Sequence, residues 1–285
     1  MDIVRAPYKR TRVIASQGED LEQHIVTPGD VITQNLDFMK SHGTALSHDH
    51  ICATVAGAVY KVDKLVSVKG VNNRYRGEIG DVVVGRITEV QQKKWKVDAG
   101  SRLDSQLQLT SVYLPGNISR RKTLNDELMM REYFTEGDLV VAEVADVGNV
   151  DGMLKLHMRS NKYGKLPEGV LIKVPSVLIK RSKLHFHRLP CNATVILGNN
   201  GFVWVGPHFS PDQPIEPFTL NSRETIARLC NVIKALAAYG VQLFDTIILT
   251  AYDISMKYKV KELLNAEVME HVAQESYEHS LHQNL

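Results

Sequence analysis

Cysteine is scarce in this 285-residue chain: Cys52, Cys191 and Cys230 are odd in number, widely spaced and never in a C-x-x-C pair. That excludes a disulfide framework and a paired-thiolate zinc site, and it fits a reducing, intracellular compartment. Long apolar runs are missing as well. No stretch approaches the roughly 18 residues that a membrane-spanning helix needs, and the cationic start (Arg5, Lys9, Arg10, Arg12) lacks the apolar centre of a secretory signal. Catalytic signatures are absent in turn: there is no P-loop, no G-x-S-x-G and no H-E-x-x-H. Metal-dependent nucleases need convergent carboxylates, whereas the acidic residues here read as turn positions (Asp30, Asp81, Asp138) or helix-surface glutamates. His48-x-His50 and His185-x-His187 each put two rings on one strand face without a third ligand at useful spacing, and read as packing. The expectation is a binding protein, not an enzyme, with no metal, no cofactor and no membrane contact.

Apolar residues make up 44% of the chain and charged residues 23%, which is ordinary for a globular protein of two or three domains. The net charge of +2 hides an uneven distribution. Residues 151–190 hold nine Lys/Arg against two Asp/Glu, while 191–285 hold six against ten. Such a basic stretch suits a polyanion or an acidic protein surface, or simply a solvated face.

Within 80–98, Val82, Val84 and Ile87 mark one strand, and Trp95 and Val97 a second, with Gln91-Gln92 as the link. Further strand-like runs at 106–112, 139–147 and 153–158 make five, with a long insert (117–136, holding a short helix over 126–134) before the fourth. That is the pattern of an OB-type barrel. Lys93, Lys94 and Lys96 surround Trp95; lysines track phosphates and an indole offers a stacking face to a base. Trp95 is therefore either a core residue or a stacking platform. Arg120, Arg121 and Lys122 on the insert either face phosphate or form a solvated loop, and Arg74 and Arg76 around Tyr75 either pack a domain joint or touch RNA.

The organisation that follows is mainly β with an α/β part. A polar, mobile arm (1–24) precedes a small β-domain (25–72), in which 27–30 is a turn, 31–32 a strand, and 51–59 and 60–68 short β-runs separated by Gly and polar residues. The barrel occupies 73–160. A third region (161–220) has β-like runs at 170–174, 177–179, 184–187, 194–197 and 202–205, and a helical extension fills 221–285. There Asn221 and Glu224 form a capping box, Ile226, Leu229, Ile233 and Leu236 follow at helical spacing, and Gly240 supplies the stop. Helices are also expected over 247–255 and 265–279, the last acidic on its outer face. Gly198-Asn199-Asn200-Gly201 fits the G-x-x-G of a KH domain, which clamps nucleotides, but it lies between two strand-like runs, where Asn and Gly equally favour a tight turn.

Several segments, in this order, resemble the S1/KH cap subunits of the RNA exosome over almost the whole chain. They are 26–32 (VTPGDVI), 42–44 (HGT), 74–87 (RYRGEIGDVVVGRI), 95–98 (WKVD), 160–166 (SNKYGKL) and 196–201 (ILGNNG). The resemblance implies an N-terminal β-domain, an S1-type OB barrel, a KH-like domain and C-terminal helices. It also implies a non-catalytic protein that sits with other cap subunits on a ring of RNase PH-like proteins. Such a protein steadies the ring and guides RNA towards associated 3′-to-5′ ribonucleases, in the nucleus, nucleolus and cytoplasm. The chain departs from many S1 barrels in carrying Ser105-Gln106-Leu107-Gln108 where Gly-Leu-Val-His is common. The isolated subunit is accordingly expected to bind RNA weakly, and a purely structural clamp of the ring is the alternative.

Overall fold

The structure is a computed structural model that describes residues 24–70 (apart from 36 and 48), 74–113, 122–148, 151–208 (apart from 161) and 219–283. The N-terminal arm expected over 1–24 lies almost wholly outside the described residues. Two compact units divide between residues 73 and 74.

The first unit has seven short strands: β1 (Ile25–Val26), β2 (Val31–Thr33), β3 (Met39–Lys40), β4 (Thr44–Ser47), β5 (His50–Ala53), β6 (Gly57–Val62) and β7 (Leu65–Gly70). They form a four-stranded sheet in the order β1-β6-β7-β3 and a three-stranded one in the order β2-β5-β4. Val26, Ala53 and Val68 form the core, flanked by Ile32, Val55 and Val59. The β-runs expected over 51–59 and 60–68 are each broken. Between β5 and β6 the chain bends at 54–56 to pass from one sheet to the other, held by Thr54 N–H donating to Gly43 O at 2.9 Å. Between β6 and β7 it reverses at Asp63-Lys64, where Asp63 takes the left-handed φ of 51° that a short polar side chain tolerates.

The second unit opens with the barrel. Strands β8 (Val82–Gln91), β9 (Lys94–Asp98), β10 (Ser105–Val112), β11 (Leu139–Val147) and β12 (Leu154–Met158) pair in the order β12-β10-β9-β8-β11, and β12 closes back on β11. All five match the expected runs. Only the β10–β12 pairing is parallel, as an OB barrel requires. Alternation puts Ile87, Trp95, Val97, Leu107, Val144 and Leu156 inside. The insert carries two short helices, α1 (Leu124–Leu128) and α2 (Met130–Tyr133), whose Met130 and the following Phe134 plug one end. Strand β13 (Gly164–Lys165) falls within the segment expected to be KH-like, yet it pairs with β11.

The KH-like sheet consists of β14 (Val170–Lys173), β15 (Phe186–Leu189), β16 (Ala193–Leu197) and β17 (Phe202–Pro207), antiparallel in the order β14-β17-β16-β15. The β-run expected at 177–179 is mostly a single 3₁₀ turn, Ser176–Leu178. One face of this sheet, through Val195, Leu197, Val203 and Val205, is covered by α3 (Leu220–Ala238), α4 (Asp245–Ser255) and α5 (Ala266–Gln283). The opposite face, through Ile196, Phe202 and Trp204, packs on Val82, Val84 and Val141 of the barrel. Coverage on both faces explains why β16 and β17 read as unbroken apolar runs and not as alternating ones. Helix α3 starts two residues earlier than the expected capping box: Thr219 is the N-cap, its hydroxyl accepting from Ser222 N–H at 3.2 Å. Gly240, with φ of +71°, ends it as expected. No described helix is long and apolar enough to cross a membrane.

Candidate nucleic-acid interface

The strand period decides what the hairpin around Trp95 presents. Trp95 and Val97 point inward, so Lys94 and Lys96 point outward, while Lys93 occupies the turn with a left-handed φ of 63°. Trp95 has no exposed surface; its indole N–H donates to Phe134 O at 3.2 Å and its ring meets Phe134 edge-on at 5.2 Å. The stacking-platform reading of Trp95 is thereby corrected: its π-faces are enclosed by the barrel core and meet no base.

The lysines around it are largely engaged. Lys96 Nζ lies 2.7 Å from Glu89 on β8, and Lys93 Nζ lies 3.2 Å from Glu127 on α1. The Glu89–Lys96 pair begins a row that runs across the barrel through Gln106 to Lys155 and Asp146, the last two 2.7 Å apart. Each end of the row is thus a carboxylate with a lysine beside it, and the hydrogen bonds from Lys96 and Lys155 hold Glu89 and Asp146 below their ordinary pKa values. Exposed pairs of this kind are worth little to stability, but they compete with phosphate for the lysines. Lys94, on the row beside Gln91 and Gln108, forms no ion pair among the described residues, although Glu89 lies near enough to feel its charge.

The other predicted contacts are scattered. Arg74 is exposed at the entry to the barrel, while its neighbour Tyr75 is buried and donates its hydroxyl to Asp81 Oδ2 at 2.8 Å. Burial and the Asp81 charge push the Tyr75 phenol far above its usual range. Lys122 is half-buried beside the insert helix. Arg120 and Arg121, like His48 of the first His-x-His, lie outside the described residues.

The 198–201 turn is docked against the barrel. Strand β9 ends its pairing with β8 at Arg86, which leaves the backbone of Val84 and Val82 without a strand partner on that side. Two asparagines take its place. Asn200 Nδ2 donates to Val84 O at 2.7 Å and to Ala99 O at 2.9 Å, and Asn200 Oδ1 accepts from Val84 N–H at 3.4 Å. The Asn199 backbone N–H donates to Val82 O at 2.9 Å, and its side chain donates to Asp81 at 2.9 Å. An Arg181–Glu78 pair at 2.7 Å adds a second tie between the same two regions. Gly201 has a φ of +86° and its Cα faces Val174 O so closely that an added Cβ would sit 2.2 Å from it. These residues belong to the barrel–sheet junction and offer no open backbone to a nucleotide. Sequence reasoning identified the turn but not its docking; the paired asparagines were the available signal.

Of the histidines, buried His185 shares a hydrogen bond with Leu197 O at 2.9 Å, and burial pushes the His187 imidazole down. No group of three or more His, Cys, Asp or Glu is placed to hold a metal ion among the described residues.

Three family models match the chain: "RRP4, S1 domain" over residues 74–146, "KH domain" over 169–210 and "Exosome complex exonuclease RRP4 N-terminal region" over 25–62. It is 48% identical to the exosome complex component RRP4 of Bos taurus, across 98% of both chains. The chain belongs to the RRP4 family. The RRP4 of Saccharomyces cerevisiae is 39% identical over 90% of this chain and 84% of its own, and the Rrp4 of Methanothermobacter thermautotrophicus 27% over 65% and 57%. In RRP4 terms, the barrel described above is the S1 domain and the β14–β17 sheet lies within the KH match. The outward cations Lys93, Lys94 and Lys96 are brought together on the S1 hairpin, but Arg74 belongs to the opposite end of β8 and Trp95 belongs to the core.

Proposed function

We propose that the chain is a non-catalytic, RNA-binding cap subunit of an RNA exosome. In this reading it steadies a ring of RNase PH-like subunits and guides RNA into it for 3′-to-5′ processing and decay by associated ribonucleases. Membership of the RRP4 family over nearly the full length carries the reading, because the relatives in question are named as exosome complex components. The surface chemistry supports a loose guide. Trp95 is enclosed, the G-x-x-G turn is docked, and most hairpin lysines already face a carboxylate. RNA that must keep moving needs such shallow, electrostatic contact. Nuclear, nucleolar and cytoplasmic placement belongs to the same proposal.

The ion-paired lysines equally favour a second reading, in which the chain is chiefly a structural clamp. Affinity capture of the full chain followed by mass spectrometry tests the common part: co-purification of RNase PH-like subunits is expected, and their absence would overturn it. Crosslinking of RNA to the captured complex separates the two readings, since a complex with no crosslinks within residues 80–160 is a clamp. Salt dependence gives a finer check. Lys94→Ala should lower the slope of log K against log salt by about 0.7, the contribution of one phosphate contact on a single strand. Lys96→Ala should lower it less, because Glu89 competes for that ammonium. Equal slopes for Lys94→Ala and the unaltered chain would remove Lys94 from the interface.

A further inference from the structure

We propose that Tyr113 and Arg159 form a nucleotide-binding platform on the barrel surface, the tyrosine ring stacking on a base and the guanidinium holding the adjoining phosphate. The inference rests on the RNA-binding reading above and names residues that neither the sequence motifs nor the hairpin lysines pointed to.

Enclosure of Trp95 removes it as a stacking face, and the side-chain exposures offer one replacement. Tyr113, 41% exposed, is the most exposed Phe, Trp or Tyr among the described residues. Among the described residues it stacks on no other ring and its hydroxyl has no partner. Its place in the fold is set by the parallel pairing of β10 with β12. Val112 lies opposite Met158, and both are buried in the barrel core. In parallel strands the next residues advance together in the same direction and turn to the opposite face. Tyr113 and Arg159 follow this buried pair, each one position past the end of its strand, and both are exposed, which sets them on the outer surface at the same end of the two strands.

Arg159 differs from the outward residues that precede it. Along the outer face of β12, Lys155 is tied to Asp146 at 2.7 Å, and His157 Nδ1 lies 3.2 Å from Glu143 O. Arg159, the residue that follows β12, is exposed and makes no ion pair among the described residues. The adjoining outer face of β10 carries Gln106, Gln108 and Thr110, which are uncharged hydrogen-bonding groups and place no carboxylate beside the pair. An unengaged aromatic face next to an unengaged guanidinium, on a barrel surface lined by neutral polar groups, suits single-stranded nucleic acid without sequence preference. Every base has a π-face, and every nucleotide has a phosphate. An acidic peptide would use the guanidinium but would gain nothing from a flat ring, and that difference enters the test.

The test uses the full chain and a fluorescent oligoadenylate, with fluorescence anisotropy read over a series of salt concentrations. Tyr113→Ala should weaken binding about tenfold, within the range of a lost base–aromatic stack, and leave the salt slope unchanged. Tyr113→Phe should stay within about twofold of the unaltered chain, because the ring is what acts. Arg159→Ala should weaken binding and lower the salt slope by about 0.7. Against an abasic strand of the same length the Tyr113→Ala effect should vanish, which a merely structural role would not produce. Tyr113 is outside the core, so the melting temperature of each variant should match that of the unaltered chain. If Tyr113→Ala binds oligoadenylate as the unaltered chain does, while Lys94→Ala still lowers the salt slope, the platform is overturned and the RNA reading stands. A Tyr113→Ala effect that persists on the abasic strand overturns it as well. If the unaltered chain, alone and in its captured complex, binds no RNA, the RNA reading falls and the platform with it.

Discussion

Replacing Asn200 with alanine should lower the unfolding free energy of the second unit by about 2–4 kcal/mol, measured by urea-induced unfolding of the full chain. The side chain is 4% exposed and replaces a missing strand, donating to Val84 O and Ala99 O and accepting from Val84 N–H. Alanine leaves these backbone groups buried without partners, at about 1–3 kcal/mol each, and rearrangement of the turn recovers part of that. Asn199→Ala should cost less, about 1 kcal/mol, because its backbone N–H still reaches Val82 O and only the side-chain bond to Asp81 is lost. Aspartate at 200 should do at least as badly as alanine, since a carboxylate would face the Val84 and Ala99 carbonyl oxygens. If Asn200→Ala unfolds at the same urea concentration as the unaltered chain, the turn does not hold the barrel and the sheet together.

Trp95→Ala should destabilise the barrel by about 3–5 kcal/mol, the usual loss on truncating a large buried aromatic. Its indole fills the centre of the strand layer against Phe134, Leu107 and Ile87 and satisfies the Phe134 carbonyl. Trp95→Phe keeps most of the volume but leaves that carbonyl without a donor, at about 1–3 kcal/mol. The second variant separates core from interface: Trp95→Phe should lose stability in thermal unfolding while binding oligoadenylate as tightly as the unaltered chain. Weaker RNA binding with unchanged stability would instead place the indole at the surface.

The barrel was legible because each of its strands is long enough to show its own period and is bounded by Gly, Asn or Asp. The small N-terminal sheets were less so. Strands of two to six residues carry little periodicity, and the bend at 54–56 that separates β5 from β6 contains no Pro or Gly to announce it. Helix α3 was visible from Ile226, Leu229, Ile233 and Leu236, but its N-cap was assigned to Asn221, because two plausible capping signals stand two residues apart and only the hydroxyl of Thr219 closes on a free N–H. For the candidate interface, the residue types around Trp95 were plain in the sequence, while its orientation stayed open between core and surface. A one-residue step in a strand exchanges core for surface, and lysines on either side of an inward tryptophan look the same in sequence as lysines on either side of an outward one. The ion pairs that engage those lysines come from β8 and α1, distant in sequence, and no local pattern reveals them.

Strand β8 serves two neighbours at once. Its Val82 and Val84 side chains belong to the apolar layer beneath Trp204 and Phe202, while its backbone is completed by the asparagine turn. A fragment ending at 160 would keep all five barrel strands yet bare Val82, Val84 and Val141 to water and leave the end of β8 as an open, apolar edge. Such an edge invites pairing between copies. The barrel excised at that point should therefore self-associate in size-exclusion chromatography, whereas a chain extended through 283 keeps the edge covered. The shortest well-behaved piece is set by where the asparagines lie in the chain, some forty residues beyond the last barrel strand.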